Sequence, residues 1–98
     1  MREIVIRLPQ GSPTLRRNAI PYRDNIFEAF KNPNIDKIVL DLAGIDIISG
    51  SFADECVGVL VGVYGLDAVT QKLRLRNGNG SAEKSIVRAM LDRASTPA

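Results

Sequence analysis

The sequence contains no histidine, and among its 98 residues there is one cysteine, Cys56. The first absence removes every Ser-His-Asp or Cys-His pair and every histidine-containing metal site. The second removes an intramolecular disulfide and any thiolate zinc site, and it suits a reducing compartment. Tryptophan is missing too, and two Tyr and three Phe are scattered along the chain. The net charge is only +2, from 13 basic and 11 acidic residues, and it is dispersed. A nucleic-acid binder would show a concentrated basic face with aromatic stacking platforms, so nucleic acid is not the expected ligand. No apolar run approaches the ~18 residues of a membrane span. The opening MREIVIRLP has neither the apolar core nor the small-residue cleavage site of an export signal. The expectation is a cytoplasmic protein with no cofactor, no metal and no membrane attachment. An enzyme would have to work with carboxylates, Lys, Arg, Ser and Tyr alone, and no catalytic constellation of these is legible.

What is present suits one folded domain over residues 1–98. An apolar content of 45% can offset chain entropy, and a chain of this length cannot divide into two stable cores. Residues 3–8 alternate, with Ile4, Ile6 and Leu8 on one side and Glu3, Val5 and Arg7 on the other, which predicts a half-covered strand. Pro9, Gly11 and Pro13 end it. Residues 14–18 fit either a helical turn or an extended piece. Pro21 then opens a helix to about Lys31, with Tyr22, Ile26, Phe27 and Phe30 as its stripe, stopped by Asn32-Pro33-Asn34.

Asp36 to Leu42 is apolar on both faces, as a central strand requires. From Phe52 to about Tyr64 the period turns helical, with Phe52, Cys56, Val59, Leu60 and Val63 as the predicted stripe. Lys72 to Arg76 reads as a third strand with a dry face and a basic one. Asn77-Gly78-Asn79-Gly80 is a turn, since it has neither dinucleotide-loop nor P-loop spacing. Ser81 is placed to cap a last helix carrying Ile86, Val87, Met90 and Leu91, and the final Ser-Thr-Pro-Ala is expected to fray. The sum is an α/β domain of order βαβαβα, with a mostly parallel sheet and its helices mainly on one face.

The most informative stretch is Asp41 to Leu60, DLAGIDIISGSFADECVGVL. Ser51 sits where an N-cap is expected, with Asp54 and Glu55 complementing the helix dipole and opposing any incoming anion. An Asp-Leu strand, a glycine, an apolar pair, a small serine-containing loop and an amphipathic helix together resemble STAS domains. That group includes the anti-sigma-factor antagonists and the cytoplasmic tails of sulphate transporters. The run Ser51 to Glu55, Ser-Phe-Ala-Asp-Glu, resembles more particularly the STAS-like family of unknown function. The resemblance implies a docking module, and a histidine-kinase-type ATPase acting as serine kinase for a partner. Superposing strand and glycine puts the family's phosphoacceptor position on Gly50, between Ser49 and Ser51, so those two serines are the candidates for phosphorylation.

Other residues admit two readings each. Asp54, Gly58 and Gly62 recur every four residues, and mid-helix glycine costs ~1 kcal/mol relative to Ala. They are explained either by close packing within the domain or by a groove for another protein's helix or a homodimer contact. Cys56 reads as a small core hydrophobe. Lys72, Arg74 and Arg76 read as the solvated face of an edge strand, or as a contact for acidic protein or nucleic acid. Arg16 and Arg17 are either solvated or clamp a carboxylate or phosphate. The leading expectation is a non-enzymatic regulatory protein–protein interaction module binding through Ser49, Gly50, Ser51, Asp54, Glu55, Gly58 and Gly62. The alternative is a small-ligand or nucleotide-binding regulatory domain.

Overall fold

Alternation at the N-terminus makes β1 (Glu3–Arg7), which turns Ile4 and Ile6 to the core and leaves Val5 46% exposed. The computed structural model describes residues 2–95. β2 (Lys37–Asp41) lies between β1 and β3 (Leu73–Arg76), and all three strands are parallel. The register aligns Val5, Val39 and Arg74 in one row and Arg7, Asp41 and Arg76 in the next. Ile6, Leu8, Ile38, Leu40, Leu42 and Leu73 enter one core cluster with the helices, whereas Val39 is buried outside that cluster. The helices therefore cover one face of the sheet, as the alternation in the outer strands requires.

The ambiguous segment before Pro21 is a short 3₁₀ turn, Arg16–Ala19, which runs directly into α1 (Ile20–Lys31). Ile26 and Ala29 are buried, with Tyr22, Phe27 and Phe30 packed against the core. Lys72 closes this helix. Its Nζ donates to the carbonyls of Phe30 (3.0 Å) and Asn32 (3.2 Å) and lies 5.3 Å from the Phe30 ring centroid. It ends a helix rather than beginning the basic strand face, which corrects its expected place.

Between Gly50 and Tyr64 the helical stretch is not regular. It runs as α2 (Gly50–Ala53), a π segment (Asp54–Gly58) and α3 (Val59–Tyr64). The wider π turn advances the buried face by about a residue. Phe52, Ala53, Cys56, Val57, Leu60 and Val61 are inside, while Val63 is 65% exposed. The expected stripe through Val63, drawn at a uniform 3.6-residue period, fails past the π segment for that reason.

Gly65, at φ +91°, ends α3 in a conformation that side chains disfavour and lets α4 (Leu66–Lys72) start at once. The sequence pattern assigned no element to residues 65–71. The last helix, α5 (Gly80–Ser95), is capped by Asn79, not Ser81: Asn79 Oδ1 accepts from Ala82 N–H at 2.7 Å. Its core face is Ala82, Ile86, Ala89 and Met90, and Val87 and Leu91 stand 45% and 49% exposed. Ser95 belongs to this helix, and the rest of the tail expected to fray, residues 96–98, lies outside the described residues. Among the described residues, no helix is long and apolar enough to cross a membrane.

Candidate functional site

Three loops leave the carboxyl ends of the parallel strands, the end of such sheets where ligands and partners gather. They are cross-tied. Gly11 N–H donates to Gly44 O (2.9 Å), and Asp46 N–H donates to Gly11 O (2.7 Å). Asn79 Nδ2 donates to the carbonyls of Ile45 (3.1 Å) and Asp46 (3.0 Å). At the end of β2, Asp41 accepts from Ala43 N–H and Asn77 Nδ2, with Arg7 Nε 3.6 Å away. These hydrogen bonds, from Ala43 first and Asn77 second, hold its carboxyl below the usual range.

The start of α2 is anchored to the same rim. Ser49, not Ser51, is the N-cap. Its Oγ accepts from Phe52 N–H at 3.0 Å and donates to Thr14 O at 2.7 Å, while its own N–H reaches Pro13 O at 3.1 Å. Gly50 and Ser51 follow, both exposed. Beside them, Ile47 is 52% and Leu15 49% exposed, one just before the cap and one next to its Thr14 acceptor. The corner is thus rigidly held, with an open surface that mixes a free serine and two aliphatic side chains.

One turn further, Asp54 and Glu55 do not serve the helix dipole as expected, since neither falls in the first turn of α2. They sit in an arginine cluster that joins four elements. Arg93 of α5 grips Asp54 with two bonds of 2.7 and 2.8 Å. Arg16 of the 3₁₀ turn reaches Asp54 at 2.8 Å and Glu55 at 3.3 Å, and Arg23 of α1 reaches Glu55 at 2.6 Å. The guanidinium of Arg93, and then that of Arg16, brings the Asp54 carboxyl down to about 2. Arg23 lowers that of Glu55 in the same way. Arg23 also holds Asp24 at 3.0 Å, so three guanidinium groups face three carboxylates and Asp54 and Glu55 are neutralised within the cluster. Arg16 takes the carboxylate-clamp role expected as one of its two options.

The remaining candidates separate. Gly58 is buried, and a Cβ there would meet Asp54 Oδ1 at 2.5 Å, Ala89 O at 3.3 Å and Arg93 Cγ at 3.3 Å. Its closeness serves the chain's own α5, which corrects the reading of Gly58 as an opening for another protein. Gly62 is exposed, with only the Arg93 side chain near it, 3.8 Å from a Cβ. Cys56 is 1% exposed, and burial pushes its thiol up to about 12. Arg74 Nη1 donates to the carbonyls of Thr70 (2.6 Å) and Leu73 (2.9 Å), and Arg76 is exposed at the strand edge. No group of three or more carboxylates or Cys is placed to hold a metal among the described residues.

Sequence reasoning missed Arg23, Arg93 and Asn79. The first two pair across 32 and 39 residues, so no local spacing announces them. Asn79 carried a readable signal, because asparagine caps helices as well as serine does.

Comparison with known proteins gives one match, to the family model described as the STAS-like domain of unknown function (DUF4325), over residues 23–83. Neither curated proteins nor solved structures give a match. The match covers more than half the chain, and the chain belongs to the STAS-like domain family.

Proposed function

We propose, with that membership as the premise, that this chain is a non-enzymatic regulatory module that docks a partner protein on the corner between residues 49 and 62. The observation that carries the reading is the exposed Gly50-Ser51 pair on a helix start fixed by four hydrogen bonds to and from Ser49 and its neighbours. A preformed surface loses little entropy on binding, and Leu15 and Ile47 supply apolar area beside it. Asp54 and Glu55 contribute by locking this surface onto α1 and α5 through their arginines. Gly62 of α3, exposed as well, is taken as the outer limit of the proposed surface. The groups with shifted titration speak for binding rather than chemistry. Asp54 is held ionised near 2 and the Cys56 thiol is neutral up to about 12, so neither is poised to exchange protons near pH 7.

A histidine-kinase-type ATPase or related serine kinase is the partner class that the family resemblance implies. Ser51 is the better phosphoacceptor of the two serines, because the Ser49 hydroxyl is engaged on both sides as a cap. A phosphate at Ser51 adds about two negative charges to an otherwise neutral patch and breaks an apolar contact. Capture of the partner from the native host tests this. Wild type and Ser51→Ala retain it, whereas Ser51→Asp and Gly62→Leu lose it with unchanged circular dichroism. Equal retention by all four proteins overturns the reading.

A small-ligand domain is the second reading, favoured by a hollow of about 330 Å³ between the β1 loop and α1, lined by Gln10, Asn18, Tyr22 and Phe52. Arg16 and Arg23, the cations that such a ligand would use, are engaged by Asp54 and Glu55. Concentration-dependent thermal stabilisation by nucleotides or anions would support it.

A further inference from the structure

The face and edge of the sheet that the helices leave open carry a pattern with no role in the docking corner. β1 is an edge strand. Leu8 N–H donates to Asp41 O, and Arg2 O accepts from Lys37 N–H. The even-numbered residues of β1 thus turn their main-chain groups toward β2, and Glu3, Val5 and Arg7 turn theirs outward. The strand Glu3-Ile4-Val5-Ile6-Arg7 is also self-complementary about its centre. Opposed antiparallel to a copy of itself with Val5 facing Val5, it sets Glu3 against Arg7 and Ile4 against Ile6, twice.

We propose that the chain pairs with a second copy of itself through β1 in that register, joining two three-stranded sheets into one of six strands. Every outward main-chain group of Glu3, Val5 and Arg7 then finds its counterpart in a hydrogen-bonded pair. On the open face, β2 already sets Lys37 beside Glu3 and Asp41 between Arg7 and Arg76. The joined sheet continues this alternation of sign unbroken: Arg76, Asp41, Arg7, then Glu3 and Lys37 of the second copy. The row between becomes four valines, Val39 and Val5 from each copy, which shields the half-exposed Val5. On the helix side, the second copy's Ile4 and Ile6 border the hollow of about 550 Å³ between β1 and α1, where they meet Tyr22, Ala29 and Ile35 beside the polar Asn25, Glu28 and Asn32. The contact is isologous and closes at two copies.

Sedimentation velocity on the full chain, with cysteine variants under oxidised glutathione, tests this pairing. The expected result is a concentration-dependent dimer. Val5→Cys becomes disulfide-linked, because a hydrogen-bonded antiparallel pair brings Cα atoms to about 5.5 Å, while Arg7→Cys alone does not. Native Cys56 stays out of the reaction because it is buried. Glu3→Lys, at an exposed edge, creates two like-charge contacts across the dimer besides one with Lys37 in each copy, and with an unchanged circular dichroism spectrum it weakens the dimer roughly tenfold. A monomer at all concentrations overturns the proposal, and so does a dimer that Val5→Cys fails to link or that Arg7→Cys links equally well. Neither result bears on the docking corner, whose residues 49–62 lie outside β1.

Discussion

Asp54 is the residue on which the most elements converge. Its side chain is 22% exposed and accepts from Arg93 and Arg16, so α5, the 3₁₀ turn and the π segment meet at one carboxylate. Charge-assisted bonds in a half-buried site contribute more than surface pairs do. Asp54→Ala is expected to lower stability by roughly 1–3 kcal/mol, partly because Arg93 loses its carboxylate acceptor and Arg16 keeps only Glu55. The same group sets an acid limit. Its carboxyl is lowered from 3.8 to about 2 on folding. Its stabilisation is therefore complete above the unfolded value and lost as pH falls through the folded one. Thermal melts should show stability dropping between about pH 4 and pH 2, with a shallower drop in Asp54→Ala. An identical acid profile in the two proteins would remove the cluster's stabilising role.

At the scale of elements, the π segment Asp54–Gly58 matters most, because it rotates everything after it. Its consequence is measurable at two valines. Val61→Asp should unfold the domain, since Val61 is 3% exposed, whereas Val63→Asp should shift the melting temperature by no more than a few degrees. A regular α-helix through Tyr64 predicts the reverse at Val63. Here also lies the limit of what could be read in advance. A 3.6-residue period is all that an amphipathic pattern encodes, and Val59 and Val63 satisfied it as well as Val57 and Val61 did. The two misplaced caps have a similar origin. Ser51 and Ser81 are competent caps locally, and Ser49 and Asn79 replace them because each also bonds a strand-end loop distant in sequence. The strands were legible because their alternation is local, and Pro21 and Asn32 bounded α1 for the same reason.

The whole molecule is a half-covered parallel sheet. Parallel strands are ordinarily covered on both faces, and here one face keeps Val5 half-exposed among Arg7, Arg74 and Arg76. The strand–helix alternation, the central place of β2 and the one-sided helices were readable from hydrophobic pattern, whereas α4 and the break of the second helix into three segments were not. Of the candidate site, the serine corner was readable and its arginine support was not, since charge pairs across 30 or more residues leave no trace in spacing. That support alters the functional reading at this scale. It makes Asp54 and Glu55 scaffolding and leaves Gly50 and Ser51 exposed beside them, the corner proposed above as the docking surface. A photo-crosslinking residue placed at Ser51, with Lys84 on the outer face of α5 as the control position, tests this most directly in the native host. Position 51 is expected to give one dominant protein adduct and position 84 none. Adducts from position 84 alone would contradict that.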